Sequence, residues 1–400
     1  MVILVVFDRY FSSNFGTKKS IWNKKEIRMD IPTTTNALVK SSGKGLEFRE
    51  NVPIPPMGER DVKIKVLSAS ICGSDLHIYN NDPVFRDRVQ EGQLIGHEFC
   101  GEIVEVGEQV KILSVGDIVS AESHVACGSC YFCRNGNPHI CQEVSALGFD
   151  RPGGFAQYTV IPYENAVPIP SEIHPDVGAC LEPFGNAVYT ARSVDLVNKV
   201  VWVPGCGPQG LMALAIAKAS GARKVIATEI KKERFELAQQ MLAAHATTKD
   251  RNDIGMDKGD LVLNPANDPE VLKKIYKTTD GLGVDVVIEM SGFPQAIEDA
   301  LLALRKGGHI IALGLSSASK IELDWNKGIV LKEANIRGIY GRRLYETWTE
   351  VKHMLTTGRV SLAPIMYEKY FSLQEFETAF DLVKFGRAAK VIFKPNGVTD

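Results

Sequence analysis

Neither sign of charge prevails in this sequence. Its 46 lysines and arginines against 48 aspartates and glutamates leave a formal net charge of -2, so no basic field collects phosphates and no nucleic-acid partner is expected. Long apolar runs are missing as well. The longest near the start, Val2 to Phe7, falls far short of the about 18 residues that a membrane helix needs, so no membrane partner is expected. Cysteine is sparse, eight in 400 residues, which excludes a disulfide scaffold. A secretory leader has its basic residues before a longer apolar core, whereas here Lys18, Lys19, Lys24, Lys25 and Arg28 follow the short run, so the reading is cytoplasmic. Residues 1–28 lack sustained periodicity and precede a second methionine, Met29; they are expected to form a disordered extension, or to reflect a start codon placed too early.

What is present is the composition of a folded chain, 44% hydrophobic and 24% charged, in 400 residues, enough for two or three domains of about 150 residues each. From about Ala37 to Asp117, β-branched runs broken by glycine and proline predict a mainly β region, with period-two alternation in Asp61 to Val66. Near Lys199 the pattern changes. Strands are predicted at Val200–Val203, Lys224–Thr228, Val284–Ile288 and His309–Leu313, and helices at Leu211–Ala219 and Lys232–Ala243. Short apolar strands alternating with helices imply a doubly wound parallel sheet, hence an α/β fold. The polar stretch from His245 to Gly259 has no periodicity and is expected to be an exposed loop.

Three groups of residues carry chemistry. Gly205-Cys-Gly207-Pro208-Gln209-Gly210 follows a predicted strand and opens a helix, a context in which bare backbone approaches a pyrophosphate at the helix N-terminus. Glu229 comes about twenty residues later, where a carboxylate bonds the ribose hydroxyls and repels a 2′-phosphate, favouring NAD over NADP; Lys231 and Lys232 nearby pull the other way. Arg234, in the next helix, is a further candidate for cofactor binding. Cys127, Cys130, Cys133 and Cys141 can close four thiolates around one structural zinc. An iron–sulfur cluster is the competing reading, but bacterial ferredoxin runs have three residues and a proline where this chain has seven and Gln142. Finally, Cys72 and the adjacent His97 and Glu98 suggest a second metal position, in company with Ser74 and His77. Each of these alone reads as an ordinary buried thiol, a core-edge imidazole or an exposed acid.

Taken together, Ile71-Cys-Gly-Ser-Asp-Leu-His77, Gly96-His-Glu98, the four-cysteine lobe and the glycine fingerprint resemble the zinc-dependent medium-chain dehydrogenase/reductase family over about residues 37–395. Glu182-Pro-Phe-Gly-Asn-Ala-Val-Tyr-Thr190, Arg337 to Arg342 and Tyr345 to Trp348 resemble its threonine-oxidising branch more closely than its alcohol or sorbitol branches. The resemblance implies a GroES-like β-rich catalytic domain from residues 29–187 and 342–400, with a zinc lobe near 124–142, and a Rossmann nucleotide domain at 188–341. It further implies two zinc ions per chain, NAD, a small-molecule substrate and a homotetramer. Cys72, His97 and Glu98 become the catalytic zinc ligands, with Glu182 coordinating or standing just outside them. Ser74 takes the hydroxyl proton, and His77 passes it to solvent through the cofactor ribose. Arg342 and Glu182 are the candidates to pair the carboxylate and ammonium of threonine, and His124 to tune selectivity. Departures from the branch are Tyr189 in place of a histidine, Cys206 in place of alanine, and the 245–259 loop. A polyol or 2,3-diol dehydrogenase is the nearest competing function, and a non-catalytic nucleotide-binding relative a more distant one.

Overall fold

The alternation in Asp61 to Val66 builds a longer strand, Asp61–Ser70, whose Val62, Ile64 and Val66 all turn into the core. This is the computed structural model of the chain, and it describes residues 32–43, 45–247 and 252–397. The expectation for residues 1–28 lies outside them. Asp61–Ser70 runs through the middle of a seven-stranded sheet whose path is Met366–Phe371, Lys390–Phe393, Asp61–Ser70, Glu98–Val106, Ile118–Ala121 and Ala166–Pro168, with Tyr158–Pro162 also pairing on the central strand. Two of these strands come from the far end of the chain, so the sheet closes only when residues near 390 pair antiparallel with residues near 70.

The second sheet is wholly parallel. Its order is Leu261–Leu263, Lys224–Thr228, Val200–Pro204, Val284–Glu289, Leu304–Ala312 and Asn335–Gly338. Numbered along the chain this is 3-2-1-4-5-6, the doubly wound arrangement, whose switch point lies between Val200–Pro204 and Val284–Glu289. Every residue of Val200–Pro204 is buried, as expected of a strand covered on both faces. The four predicted strands are present, three of them longer than expected, and so are both helices, as Pro208–Ala219 and Lys232–Ala244. Two strands went unpredicted for physical reasons. Leu261–Leu263 has three residues, too few to show a period, and Asn335–Gly338 is an exposed edge with no buried face to pattern.

The helix Leu181–Ala191 joins the two sheets. Its Leu181, Phe184, Ala187 and Val188 share one apolar cluster with Val201 and Val203 of the parallel sheet and with Cys100 and Ile169 on the other side. Glu346–Thr356 packs against it.

The loop expected to be exposed at 245–259 is only partly so. Met256 and Asp257 are buried, and Asp257 and Asp260 each lie 2.8 Å from the Nζ of the buried Lys218. A stretch rich in charge can bury those charges when they find a partner, and periodicity carries no sign of it. Among the described residues, no helix is long and apolar enough to cross a membrane.

Candidate metal centres and nucleotide cleft

Cys72 caps the short helix Gly73–Tyr79, and His97 and Glu98 stand at the start of the strand Glu98–Val106, which pairs with the strand leading to Cys72. Sheet pairing therefore brings together residues 25 positions apart. One ligand atom from each of the three lies within 4.8 Å of the others. Glu98 is fully buried, and its Oε2 accepts from the hydroxyl of Ser70 and from Lys390 Nζ. Its Oε1 has no partner. Burial raises the Glu98 pKa against the pull of Lys390 and His97. An orphaned buried oxygen beside a thiol and an imidazole is a donor set that fits a zinc ion. Asp75 Oδ1 stands 3.3 Å from His97 Nδ1, in ion-pair range but off the line of a hydrogen bond, while Asp75 Oδ2 accepts from the Cys72 N–H at 2.9 Å. Asp75 thus touches two of the three, in the manner of carboxylates that orient metal-binding side chains.

Glu182 is not in this group. Its Oε1 accepts from Ser123 Oγ at 2.7 Å and from Arg342 Nη1 at 2.6 Å. Burial works to raise its pKa, but Arg342 above all, then His97 and the Ser123 hydroxyl, bring it down to about 2. Arg342 differs from what the sequence suggested. Expected to face a substrate carboxylate, it has no exposed surface. Its Nε donates to Glu122 Oε2 at 2.8 Å, Nη2 donates to Glu122 Oε1 and to Ser123 Oγ, and Nη1 also reaches Asn186 Oδ1 at 3.0 Å. The Trp348 indole donates to the same Glu122 at 2.8 Å. The guanidinium is used up by Glu122 and Glu182, so no substrate anion reaches it. Glu122 escaped sequence reasoning because an acid at the end of a short strand has no local signature.

His124 stacks on Tyr340, ring centres 5.4 Å apart and planes 10° off parallel. Burial first, and Arg342 second, lower its pKa to about 4, so it is neutral at pH 7, with a buried Nδ1 that has no partner. Ser74 is half-buried and His77 exposed in the Gly73–Tyr79 helix. His77 Nδ1 lies 2.5 Å from Asp82 Oδ2, and its ring stacks on Phe85. Tyr189 accepts from Arg337 Nη2 at 3.1 Å and meets the ring of His139 edge-on.

The four cysteines of the lobe offer sulfurs within 4.8 Å of one another, and all are free thiols. Backbone N–H groups converge on them. Cys130 N donates to Cys127 Sγ at 3.3 Å, and Cys127 N and Glu143 N donate to Cys141 Sγ at 3.4 and 3.3 Å. The Ser129 backbone, then its hydroxyl and the Cys130 backbone, lower the Cys127 thiol to about 6. Donors that favour thiolate over thiol fit a closed metal site.

At the switch point lies a cavity of about 560 Å³ lined by Gly205, Gly207, Glu229, Arg234, Ser291 and Phe293, among others. The glycines have separate reasons. Gly205 has φ +87°, and a Cβ on Gly210 would come within 1.9 Å of the Gly205 carbonyl oxygen. Gly207, the N-cap of Pro208–Ala219, faces open space where a ligand could approach. Pro208 and Gln209 form the first turn of that helix, and the Gln209 Oε1 is buried without a partner. Glu229 directly follows the strand Lys224–Thr228. Its Oε2 accepts from Cys206 N at 2.9 Å, and its Oε1 from Ile230 N and Lys231 N at 2.8 and 2.9 Å. Across the cleft, Glu289 was missed. Its carboxylate accepts from Ser291 N and Gly292 N at 2.8 and 3.0 Å and fixes the opposing turn. The signal was an acid directly after a predicted strand, with Ser-Gly two residues on.

The family described as alcohol dehydrogenase GroES-like domain matches residues 58–171, and that described as zinc-binding dehydrogenase matches residues 208–357. L-threonine 3-dehydrogenase of Pyrococcus horikoshii is 41% identical over 358 residues, 89% of this chain and 97% of that protein. Among solved structures, the 2R,3R-butanediol dehydrogenase of Bacillus subtilis is 28% identical and superposes with a TM-score of 0.79, covering 91% of this chain and 100% of its own. A structure described as a short chain alcohol dehydrogenase from E. coli CFT073, complexed with NADH, is 27% identical with a TM-score of 0.78, covering 91% and 100%. A GroES-like β lobe carrying Cys72, His97 and Glu98, joined to a doubly wound lobe with a glycine cleft, and relatives this close over nearly their whole length make the chain a member of the zinc-binding, medium-chain dehydrogenase family of oxidoreductases.

Proposed function

We propose that this enzyme oxidises the secondary alcohol of L-threonine with NAD, giving 2-amino-3-oxobutanoate. The observation that carries the reading is the identity of about 40% to proteins named L-threonine 3-dehydrogenase across nearly their whole length. The reading includes two zinc ions per chain, one on Cys72, His97 and Glu98 and one on the four cysteines. It also includes a homotetramer in the cytoplasm, and domains divided at about residues 187 and 342. Zinc held by Cys72, His97 and Glu98 would supply Lewis acidity that makes the substrate hydroxyl easier to deprotonate. Gly205, Gly207, Gly210 and Glu229 would hold NAD, which would supply the hydride acceptor.

The chain's own residues do the rest. Asp75 orients His97, and Lys390 and Ser70 hold one oxygen of Glu98 so that the other is presented. Ser74 receives the hydroxyl proton and His77 releases it at the surface, where Asp82 steadies the imidazole. Glu182 stays ionised beside Arg342, outside the three-residue group, and adds negative charge near a substrate ammonium.

The likeness to butanediol dehydrogenase supports a second reading, in which a neutral diol is the substrate. NADH formation with L-threonine, sorbitol, 2,3-butanediol and ethanol, run in parallel, separates the two. Threonine is expected to have the highest kcat/KM. Strong turnover of a polyol with none of threonine would move the enzyme to the polyol branch.

A further inference from the structure

A substrate with a carboxylate beside its reacting carbon needs a cation within reach of the metal ligands, because a carboxylate taken from water and left unpaired binds poorly. Two cations close to those ligands are already committed. Arg342 is enclosed by Glu122 and Glu182, and the buried Lys390 is bonded to Glu98 and to the Ile71 carbonyl. Arg88 is placed differently, its side chain 43% exposed.

The Arg88 guanidinium stands over an aromatic wall that leads to the metal ligands. Its Cζ is 5.3 Å from the centre of the Phe149 ring, and that ring packs on the His97 imidazole with centres 5.0 Å apart. These two legs keep the guanidinium no more than about 10 Å from the His97 ring centre. The wall continues from Phe149 to Phe85 and from Phe85 to His77, both steps 5.6 Å, so it also reaches the residue assigned to proton release. Tyr340, stacked on His124, is near enough to Arg88 to favour its charged form, after the larger effect of Asp150.

The guanidinium is held but not consumed. Asp150 takes its Nε and Nη2 at 2.9 and 2.6 Å, and Asp150 is anchored in turn by the Ala146 N–H at 2.9 Å. Nη1 has no partner among the described residues. The opposite fork, Nη1 with the second hydrogen of Nη2, can therefore take another carboxylate in bidentate fashion. A span of no more than about 10 Å is within the reach of a threonine whose 3-hydroxyl lies at the metal ligands and whose carboxylate makes a contact of about 2.8 Å with the guanidinium.

We propose that Arg88 is the residue that selects an amino-acid substrate, its free fork receiving the threonine carboxylate while Asp150 and Phe149 hold the guanidinium in plane. This rests on the reading that threonine is the substrate. The test compares the wild-type holoenzyme with Arg88→Gln and Arg88→Lys on L-threonine and on 1-aminopropan-2-ol, the same amino alcohol without a carboxylate. The ratio of kcat/KM for threonine to that for aminopropanol is expected to fall about 100-fold in Arg88→Gln, mostly through KM for threonine, and to recover in part in Arg88→Lys. Melting temperature and zinc content report folding, and if Arg88→Gln does not fold, the ratio is read from Arg88→Lys. An unchanged ratio, whether both substrates lose equally or neither loses, overturns the proposal while leaving the threonine reading intact. A wild-type enzyme that yields no NADH from threonine overturns both.

Discussion

A guanidinium with no exposed atom and two carboxylates around it acts on its neighbours, and at this scale Arg342 is a keystone. It joins Glu122 at the end of one strand, Glu182 and Asn186 on the inter-sheet helix and, through Glu122, the indole of Trp348. Removing one partner of a buried ion pair leaves the other uncompensated, at a cost of about 3–5 kcal/mol. Arg342→Met is therefore expected to lower stability by about that amount in urea titration and to reduce turnover of every substrate alike. A loss confined to threonine, with stability unchanged, would return Arg342 to the substrate pocket. The contrast with Arg88 is one of exposure, since both are arginines facing acids and only one has a fork to spare. Exposure is what a sequence hides. Arg342 and Glu122 are 220 positions apart, and nothing local distinguishes a consumed cation from a free one.

At the scale of elements, the cysteine lobe and the glycine turn were legible because their function is local. Four sulfurs within fifteen residues, and three glycines between a strand and a helix, carry their geometry in their spacing. Separate substitutions should divide the two proposed metal sites. Cys130→Ser is expected to lower zinc content and melting temperature together, whereas Cys72→Ser should abolish activity, leave the fold unchanged and keep one zinc. Metal analysis finding a single zinc in the fully active wild type would rule out that division. Glu229→Ala should weaken NAD binding and narrow its margin over NADP. Its carboxylate also accepts three backbone N–H groups, so some of the loss will come from a loosened glycine turn. Equal or better use of NADP by the wild type would mean that Arg234, Lys231 and Lys232 dominate. The Lys218 clasp was illegible for the opposite reason. Asp257 and Asp260 sit in a stretch whose composition is that of a solvated loop, and only the fold reveals that they meet a buried amine.

Across the whole molecule, the nucleotide lobe is tied to the returning C-terminal segment at His245. Its Nε2 accepts the Ser361 N–H at 2.9 Å and its Nδ1 bonds the Met241 carbonyl at 2.8 Å, a pattern that needs the neutral ring. Burial lowers its pKa below that of a free histidine. The unfolded chain therefore binds this proton more readily, and the His245 contribution to stability is complete above the unfolded pKa of about 6.5 and is lost as pH falls through the folded value. Between about pH 7 and pH 5 the wild type should lose stability more steeply than His245→Gln in denaturant midpoints. Parallel slopes would show that other groups govern the acid response.

The pairing of Lys390 with Glu98 also sets an order of events during synthesis. The two are separated by 292 positions, so on a ribosome adding about 5–20 residues per second the acid emerges roughly 15 to 60 s before its amine. Late in that interval, once Gly338 has emerged, the parallel sheet has every strand it needs while the first sheet still awaits Met366–Phe371 and Lys390–Phe393. The nucleotide lobe can therefore mature on the nascent chain, and the lobe that performs the chemistry is completed last, by its final strand.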